Sequence, residues 1–138
     1  MLYFAYGSNL GRRDMARRCA RAAALGPARL DGSKLMFSGF ITIVPARDGA
    51  VWGALYRLTP ACLRALDKYE DAPRRYRRET VTVDHAGQNQ IAMAYVMNAP
   101  AATPPAIAHY NAVLRGYGDW KLDPAPLVRA RFALLNAR

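Results

Sequence analysis

The sequence is poor in cysteine, and this excludes several classes of protein. Among its 138 residues only Cys19 and Cys62 are cysteines, too few for a disulfide framework or a four-thiolate zinc site. Cys62 lies between Ala61 and Leu63, and Cys19 lies beside Ala20. We therefore expect two small, buried side chains with free thiols, as in a protein kept in a reducing compartment.

Long apolar runs are absent as well. No segment reaches the roughly 18 consecutive apolar residues that a membrane-spanning helix needs. The N-terminus lacks a signal-peptide pattern, because Gly7, Ser8 and Asn9 interrupt its apolar start and arginines follow them. The sequence therefore predicts a cytoplasmic protein that does not bind a membrane.

The motifs of common cofactor sites are missing. There is no GxxxxGK[ST] phosphate loop, no GxGxxG dinucleotide fingerprint and no GxSxG hydrolase elbow. The two histidines, His85 and His109, have no histidine or cysteine at ligand spacing. We expect neither a bound metal ion nor an organic cofactor.

Acidic residues are scarce. Lys and Arg number 20 against 10 Asp and Glu, a formal net charge of +10, which predicts some attraction to acidic ligands. Arg13, Arg17 and Arg21 share one row of a predicted helix, and four more arginines surround Tyr76. No ring-stacking RNA-binding motif accompanies them. We expect solvated basic faces and no specific nucleic acid, although a basic nucleic-acid-associated module stays an alternative.

Apolar residues make up 52% of the chain, enough for a sizeable core. The length favours one domain over residues 1–138. Irregularly interleaved strands and helices predict an α+β class, and Gly39 and Gly53 inside strands favour a strongly curved sheet or small barrel. The predicted strands are Leu2–Tyr6, Leu35–Val44, Val51–Leu58, Tyr76–Asp84 and Ile91–Met97, and the predicted helices are Gly11–Leu25, Pro60–Glu70, Ile107–Leu114 and Asp123–Leu135.

Glu70 is the most informative acidic residue, since the chain has only one other glutamate, Glu79. Its spacing from Leu63 and Leu66 places it on the apolar face of a helix. Burial and the C-terminal end of the helix dipole both disfavour the charged carboxylate and raise its pKa toward neutrality, where a general acid or base works best. The alternative is a structural carboxylate paired with one of the arginines at positions 74–78.

The segment Tyr6-Gly7-Ser8-Asn9-Leu10 is the second candidate site. A strand turns through glycine toward a helix that Ser8 or Asn9 caps. Free backbone N–H groups at such a turn can receive an anion or a developing oxyanion. The alternative is an ordinary strand-to-helix turn with a polar cap.

Together these motifs resemble the γ-glutamylcyclotransferase family. The start Tyr3–Leu10 resembles the family's YGSN loop, and Leu66–Glu70 resembles its catalytic-glutamate motif. Ile41–Pro45 and Val51–Tyr56 are similar to its central strands, and the resemblance covers nearly the whole chain in order. The departures are Asp71, where the family often has Gly, and Tyr117, where it usually has Ala.

The resemblance implies a small closed mixed β-barrel with flanking helices. It also implies cofactor-free conversion of a small γ-glutamyl substrate to 5-oxoproline with release of an amino acid or amine, closest to the branch that acts on γ-glutamyl amino acids. Glu70 would be the general acid/base. A catalytically silent family member that binds a small acidic metabolite is an alternative. We expect the protein to be a monomer or a homodimer. The implied substrate-binding residues are Tyr6, Gly7, Ser8, Asn9, Leu10, Tyr76, Tyr95 and Tyr110.

Overall fold

The structure, a computed structural model, describes residues 1–136, with side chains through residue 133. The last two residues of the expected domain, 1–138, therefore lie outside the described residues. The strands are β1 (Leu2–Ala5), β2 (Ala23–Ser38), β3 (Phe40–Arg57), β4 (Tyr76–His85) and β5 (Gln88–Met97). The helices are α1 (Arg12–Arg18), α2 (Pro60–Glu70), α3 (Ile107–Asp119) and α4 (Ala125–Asn136).

The five strands close into a barrel in the spatial order β1, β3, β2, β4, β5. Neighbouring strands run antiparallel, except that β5 and β1 close the barrel in parallel at the pair Tyr3 and Met93. The predicted α+β class and the closed mixed barrel with flanking helices are confirmed.

Helices α2, α3 and α4 each bury apolar side chains in one core shared with the barrel. Leu66 of α2, Val113 of α3 and Leu127 of α4 are fully buried, as are Phe4 of β1 and Leu55 of β3. Each helix thus uses an apolar stripe against the sheet, the arrangement expected for helices at the surface of a small domain.

The single strand predicted over residues 35–44 is wrong, because this segment is the tip of a hairpin. Ser38 pairs with Phe40, and Gly39 alone makes the turn, with φ of +70°, a conformation that glycine adopts without steric cost. The predicted turns Asp31–Ser33 and Arg47–Gly49 are irregularities inside β2 and β3. Turn-forming residues are also common in β-bulges. Strands β2 and β3 therefore remain paired on both sides of these irregularities.

The first helix is shorter than its periodicity predicts. It ends at Arg18, and Cys19 already has extended backbone angles. Arg21 therefore lies outside α1, and the predicted helical row of Arg13, Arg17 and Arg21 is wrong. The sequence pattern continues past this point, but the pairing of β2 with β3 begins at Ala23 and takes the chain into the sheet.

The two cysteines form a disulfide, which corrects the expectation of free thiols. Cys62 is fully buried in the first turn of α2, and Cys19 directly follows α1. The cysteines are 43 positions apart, and nothing local in the sequence reveals that the end of α1 packs beside the start of α2. The bond ties α1 to the helix that carries Glu70.

Loss of this disulfide should lower the free energy of unfolding. A cross-link over 43 positions restricts the unfolded chain, and loop-closure entropy gives a stabilisation of about 4 kcal/mol. We expect a dithiol reductant to lower the denaturant midpoint of the wild-type protein, and Cys19→Ser to unfold at the lower midpoint with or without reductant. Chemical unfolding followed by circular dichroism measures this. If the reductant leaves the denaturant midpoint of the wild-type protein unchanged, the cysteines are not paired.

Candidate active site

The loop after β1, the end of α2 and the adjacent strands enclose a cavity of about 180 Å³. Aromatic and polar side chains make up most of its wall. The lining residues are Tyr3, Tyr6, Gly7, Ser8, Asn9, Phe40, Ile41, Tyr69, Glu70, Arg75, Tyr76, Tyr95 and His109. The cavity therefore brings together the two stretches that the sequence singled out, which are about 60 positions apart in the chain.

Two residues expected at the site do not line this cavity. Leu10 is fully buried, and its carbonyl accepts hydrogen bonds from Tyr56 Oη (3.1 Å) and Trp120 Nε1 (2.9 Å). Tyr110 packs against Phe37, with ring centroids 6.0 Å apart. Successive helix residues point about 100° apart, so the residue before Tyr110, His109, faces the cavity instead.

The loop after β1 makes a tight turn against the β2–β3 hairpin. Leu10 N donates to Gly7 O at 3.0 Å, which closes the turn. A Cβ atom at Gly7 would lie 2.6 Å from Ile41 Cγ2, so any other residue there would force Ile41 to move. The N-cap of α1 is Gly11, without a side-chain bond, rather than the predicted Ser8 or Asn9. The side chains of Ser8 and Asn9 line the cavity instead.

Helix α2 ends so that its last residue, Glu70, faces the cavity. Thr59 caps the start, because its Oγ1 accepts from Cys62 N at 3.2 Å, and Leu66 anchors the apolar face as the spacing predicts. Asp71 ends the helix in the left-handed conformation, with φ of +54°. This conformation favours glycine and accounts for the glycine that the family often has at this position.

The Glu70 carboxylate has no cationic partner among the described residues. No Lys, Arg or His nitrogen lies within 4.0 Å of it, so the alternative of an ion pair with the arginines at 74–78 is wrong. Asn9 Nδ2 donates to Glu70 Oε1 at 3.0 Å. Burial raises the pKa of Glu70 to about 7, against the opposing effects of Arg18, Asn9 and Arg75.

Asn9 carries a polar atom with no partner. Its side chain is 1% exposed, and its Nδ2 also donates to Tyr3 Oη at 3.1 Å. With the amide nitrogen facing Glu70 and Tyr3, Oδ1 is left buried without a donor in the described structure. A buried acceptor of this kind is costly unless a ligand supplies an N–H or O–H.

Most cavity tyrosines donate their hydroxyl hydrogens to oxygen atoms of the protein. Tyr76 Oη donates to Ile41 O at 2.7 Å, Tyr95 Oη donates to Asp67 Oδ1 at 2.6 Å, and Tyr6 Oη donates to Tyr95 O. Burial raises the pKa of each of these hydroxyls, so all three stay protonated.

Sequence reasoning missed several residues of the wall. The resemblance includes Tyr3 but assigns it no role, and Phe40 and Ile41 lie at the tip of a hairpin where the sequence predicts the middle of a strand. The sequence predicts a solvated basic face for Arg75 and its neighbours. The Tyr69 hydroxyl donates to Ser8 Oγ at 3.3 Å. In the sequence, only its position next to Glu70 indicates that Tyr69 lies at the site.

Neither a membrane-spanning helix nor a metal cluster is present among the described residues. No helix in residues 1–136 combines the length and the apolar composition needed to cross a bilayer. Over the same residues, His, Cys, Asp and Glu nowhere form a group of three that could hold a metal ion.

The profile of the family described as "Gamma-glutamyl cyclotransferase, AIG2-like" matches residues 3–122. The chain belongs to this family. The uncharacterized protein loc79017 from Homo sapiens is similar in structure, with a TM-score of 0.85 and 26% identity over 94% of this chain and 85% of that one. A solved protein named gamma-glutamyl cyclotransferase gives the same values.

YkqA from Bacillus subtilis is similar in fold alone, with a TM-score of 0.80 and 22% identity over 98% of this chain and 54% of that one. A search of curated protein sequences found no match. The fold and the family are therefore established through solved structures and the family profile.

The raised pKa of Glu70 predicts a stability that falls as pH rises. Its pKa is about 7 in the folded protein against an ordinary value of 4.5, so between these pH values the folded state binds more protons than the unfolded chain. Relative to Glu70→Gln, the wild-type free energy of unfolding should fall by roughly 3 kcal/mol across this range. Denaturant unfolding at several pH values measures the difference, and a constant difference would mean that folding does not shift the pKa of Glu70.

Proposed function

We propose that the protein converts a γ-glutamyl compound to 5-oxoproline and releases an amino acid or amine, with Glu70 as general acid and base. The observation that carries the proposal is a carboxylate without a cationic partner, with a pKa of about 7, on the wall of the cavity. A group with this pKa is present in both protonation states at neutral pH, as proton transfer in both directions requires.

The reaction consumes no water and moves two protons from the α-nitrogen of the substrate to the leaving nitrogen. The α-ammonium of the substrate gives a proton to the Glu70 carboxylate, and the freed amine attacks the γ-carbonyl carbon to close a five-membered ring. Glu70 then gives this proton to the leaving nitrogen as its bond to that carbon breaks. The ring nitrogen passes its second proton through Glu70 to the released amine, which leaves as an ammonium ion, and the ring closes as the neutral lactam. Because ring closure is intramolecular, the enzyme contributes mainly by holding the substrate in a folded conformation.

The cavity residues fit the charges of this substrate. Asn9 Oδ1, buried and unpartnered, would accept from the α-ammonium and hold it beside Glu70. Since Leu10 N–H is used inside the turn, the N–H groups of Ser8 and Asn9 are the loop donors left for the α-carboxylate. Tyr3 Oη accepts from Asn9, and its own hydrogen has no acceptor among the described residues, so it would donate to the developing oxyanion.

Incubation with γ-glutamyl compounds tests the activity itself. We expect 5-oxoproline from at least one γ-glutamyl amino acid or amine, without added metal or nucleotide, measured by mass spectrometry. Loss of product with a chelator and recovery with zinc would contradict the cofactor-free mechanism. No product from any compound would favour a catalytically silent member that binds an acidic metabolite.

Replacement of Glu70 tests its role. Glu70→Gln keeps the shape but cannot accept the α-ammonium proton, so turnover should fall by roughly 100-fold or more. Glu79→Gln is the matched control: Glu79 pairs with Arg77 and does not line the cavity, so its replacement should leave turnover close to that of the wild type. Steady-state kinetics with thermal unfolding on both variants makes the comparison. A folded Glu70→Gln variant that keeps more than about half of the wild-type turnover would contradict the role of Glu70 as general acid and base.

A further inference from the structure

Arg75 differs from the other three arginines around Tyr76. It lines the cavity, and within the described residues its guanidinium has no carboxylate within 4.0 Å. The other three each have such a partner: Arg74 with Asp71, Arg77 with Glu79 and Arg78 with Asp67. Three of these arginines are thus neutralised within the fold, while Arg75 presents an unpaired cation at the cavity.

The position of Arg75 is fixed at both its backbone and its side chain. Its N–H donates to Asp71 O at 2.7 Å, and its carbonyl accepts from Asn98 N at 2.9 Å. The guanidinium carbon lies 5.0 Å from the ring centroid of Phe40, within the range of a cation–π contact. The His109 ring packs against the same ring in a T-shaped arrangement, with centroids 5.2 Å apart.

No other residue of the cavity wall carries a positive charge. The lining contains no second Lys or Arg. His109 Nε2 accepts from Ile41 N at 3.0 Å, and burial lowers the pKa of this imidazole, so the ring is neutral at pH 7. The charged groups around the cavity are therefore Glu70, Arg75 and Arg18. The Arg18 guanidinium lies over the ring of Tyr69 and does not line the cavity, so Arg75 is the lining cation that can receive an anion.

We propose that Arg75 binds a carboxylate on the leaving group, so that the protein selects γ-glutamyl amino acids over γ-glutamyl amines that lack this charge. This inference rests on the proposed function. The α-amine and α-carboxylate of the γ-glutamyl part are assigned to Glu70, Asn9 and the loop after β1. The remaining anionic end of a γ-glutamyl amino acid is the carboxylate beside the leaving nitrogen. A guanidinium held on an aromatic ring suits it, because its fork donates two parallel hydrogen bonds.

The experiment compares γ-glutamylalanine with its C-terminal amide, two substrates that differ in this one charge. We expect the wild-type kcat/KM to be about 10-fold or more higher for the acid. Arg75→Gln should bring the ratio close to one by lowering kcat/KM for the acid, and Arg75→Lys should recover part of the preference. Arg74→Gln, which removes an exposed, paired arginine outside the wall, should keep the wild-type ratio.

The ratio separates this inference from the proposed function. Arg75 also lowers the pKa of Glu70, but that effect acts on both substrates and cancels in the ratio. Equal wild-type rates for acid and amide, or an equal loss for both in Arg75→Gln, would overturn the inference while the cyclotransferase activity stands. Absence of 5-oxoproline from both substrates with wild-type protein would overturn the proposed function and this inference with it.

Discussion

The candidate site depends on the hydrogen bond from Asn9 to Glu70, which joins the loop after β1 to the end of α2. Each side is held in place independently of the other. The loop is fixed by the close approach of Gly7 to Ile41 and by the two donors on Leu10 O. Helix α2 is fixed by its buried apolar face and by the disulfide at its start. The carboxylate is therefore positioned before any substrate arrives.

The distribution of ion pairs leaves the Glu70 carboxylate without a cationic partner. The chain carries a net charge of +10, yet within the described residues no arginine forms an ion pair with Glu70. Arg74 pairs instead with Asp71 and Arg78 with Asp67, and the pKa of Asp67 is lowered chiefly by its bond to Arg78. An arginine within hydrogen-bond distance of Glu70 would lower its pKa far below 7 and remove its capacity to donate a proton. The unpaired state of Glu70 is thus what makes the proposed chemistry possible.

The sequence could predict those parts of the site that depend on local geometry. The inward face of Glu70 follows from its spacing to Leu66, and the glycine turn follows from the apolar run before it. Tertiary contacts decided the rest. The Cys19–Cys62 bond needs the packing of α1 beside α2, and the position of Phe40 at the cavity needs a hairpin tip at Gly39. The choice between His109 and Tyr110 depends on the rotation of α3 about its axis, which its sequence pattern leaves open.

The pH dependence of kcat/KM for 5-oxoproline release tests the central claim, that Glu70 takes the proton from the substrate amine, most directly. We expect a rising limb with an apparent pKa near 7, the value that burial gives Glu70, because kcat/KM reports the ionisation of groups in the free enzyme. Glu70→Gln should abolish this limb. A wild-type profile whose only rising limb lies well above pH 7, where the substrate ammonium deprotonates in solution, would contradict the claim.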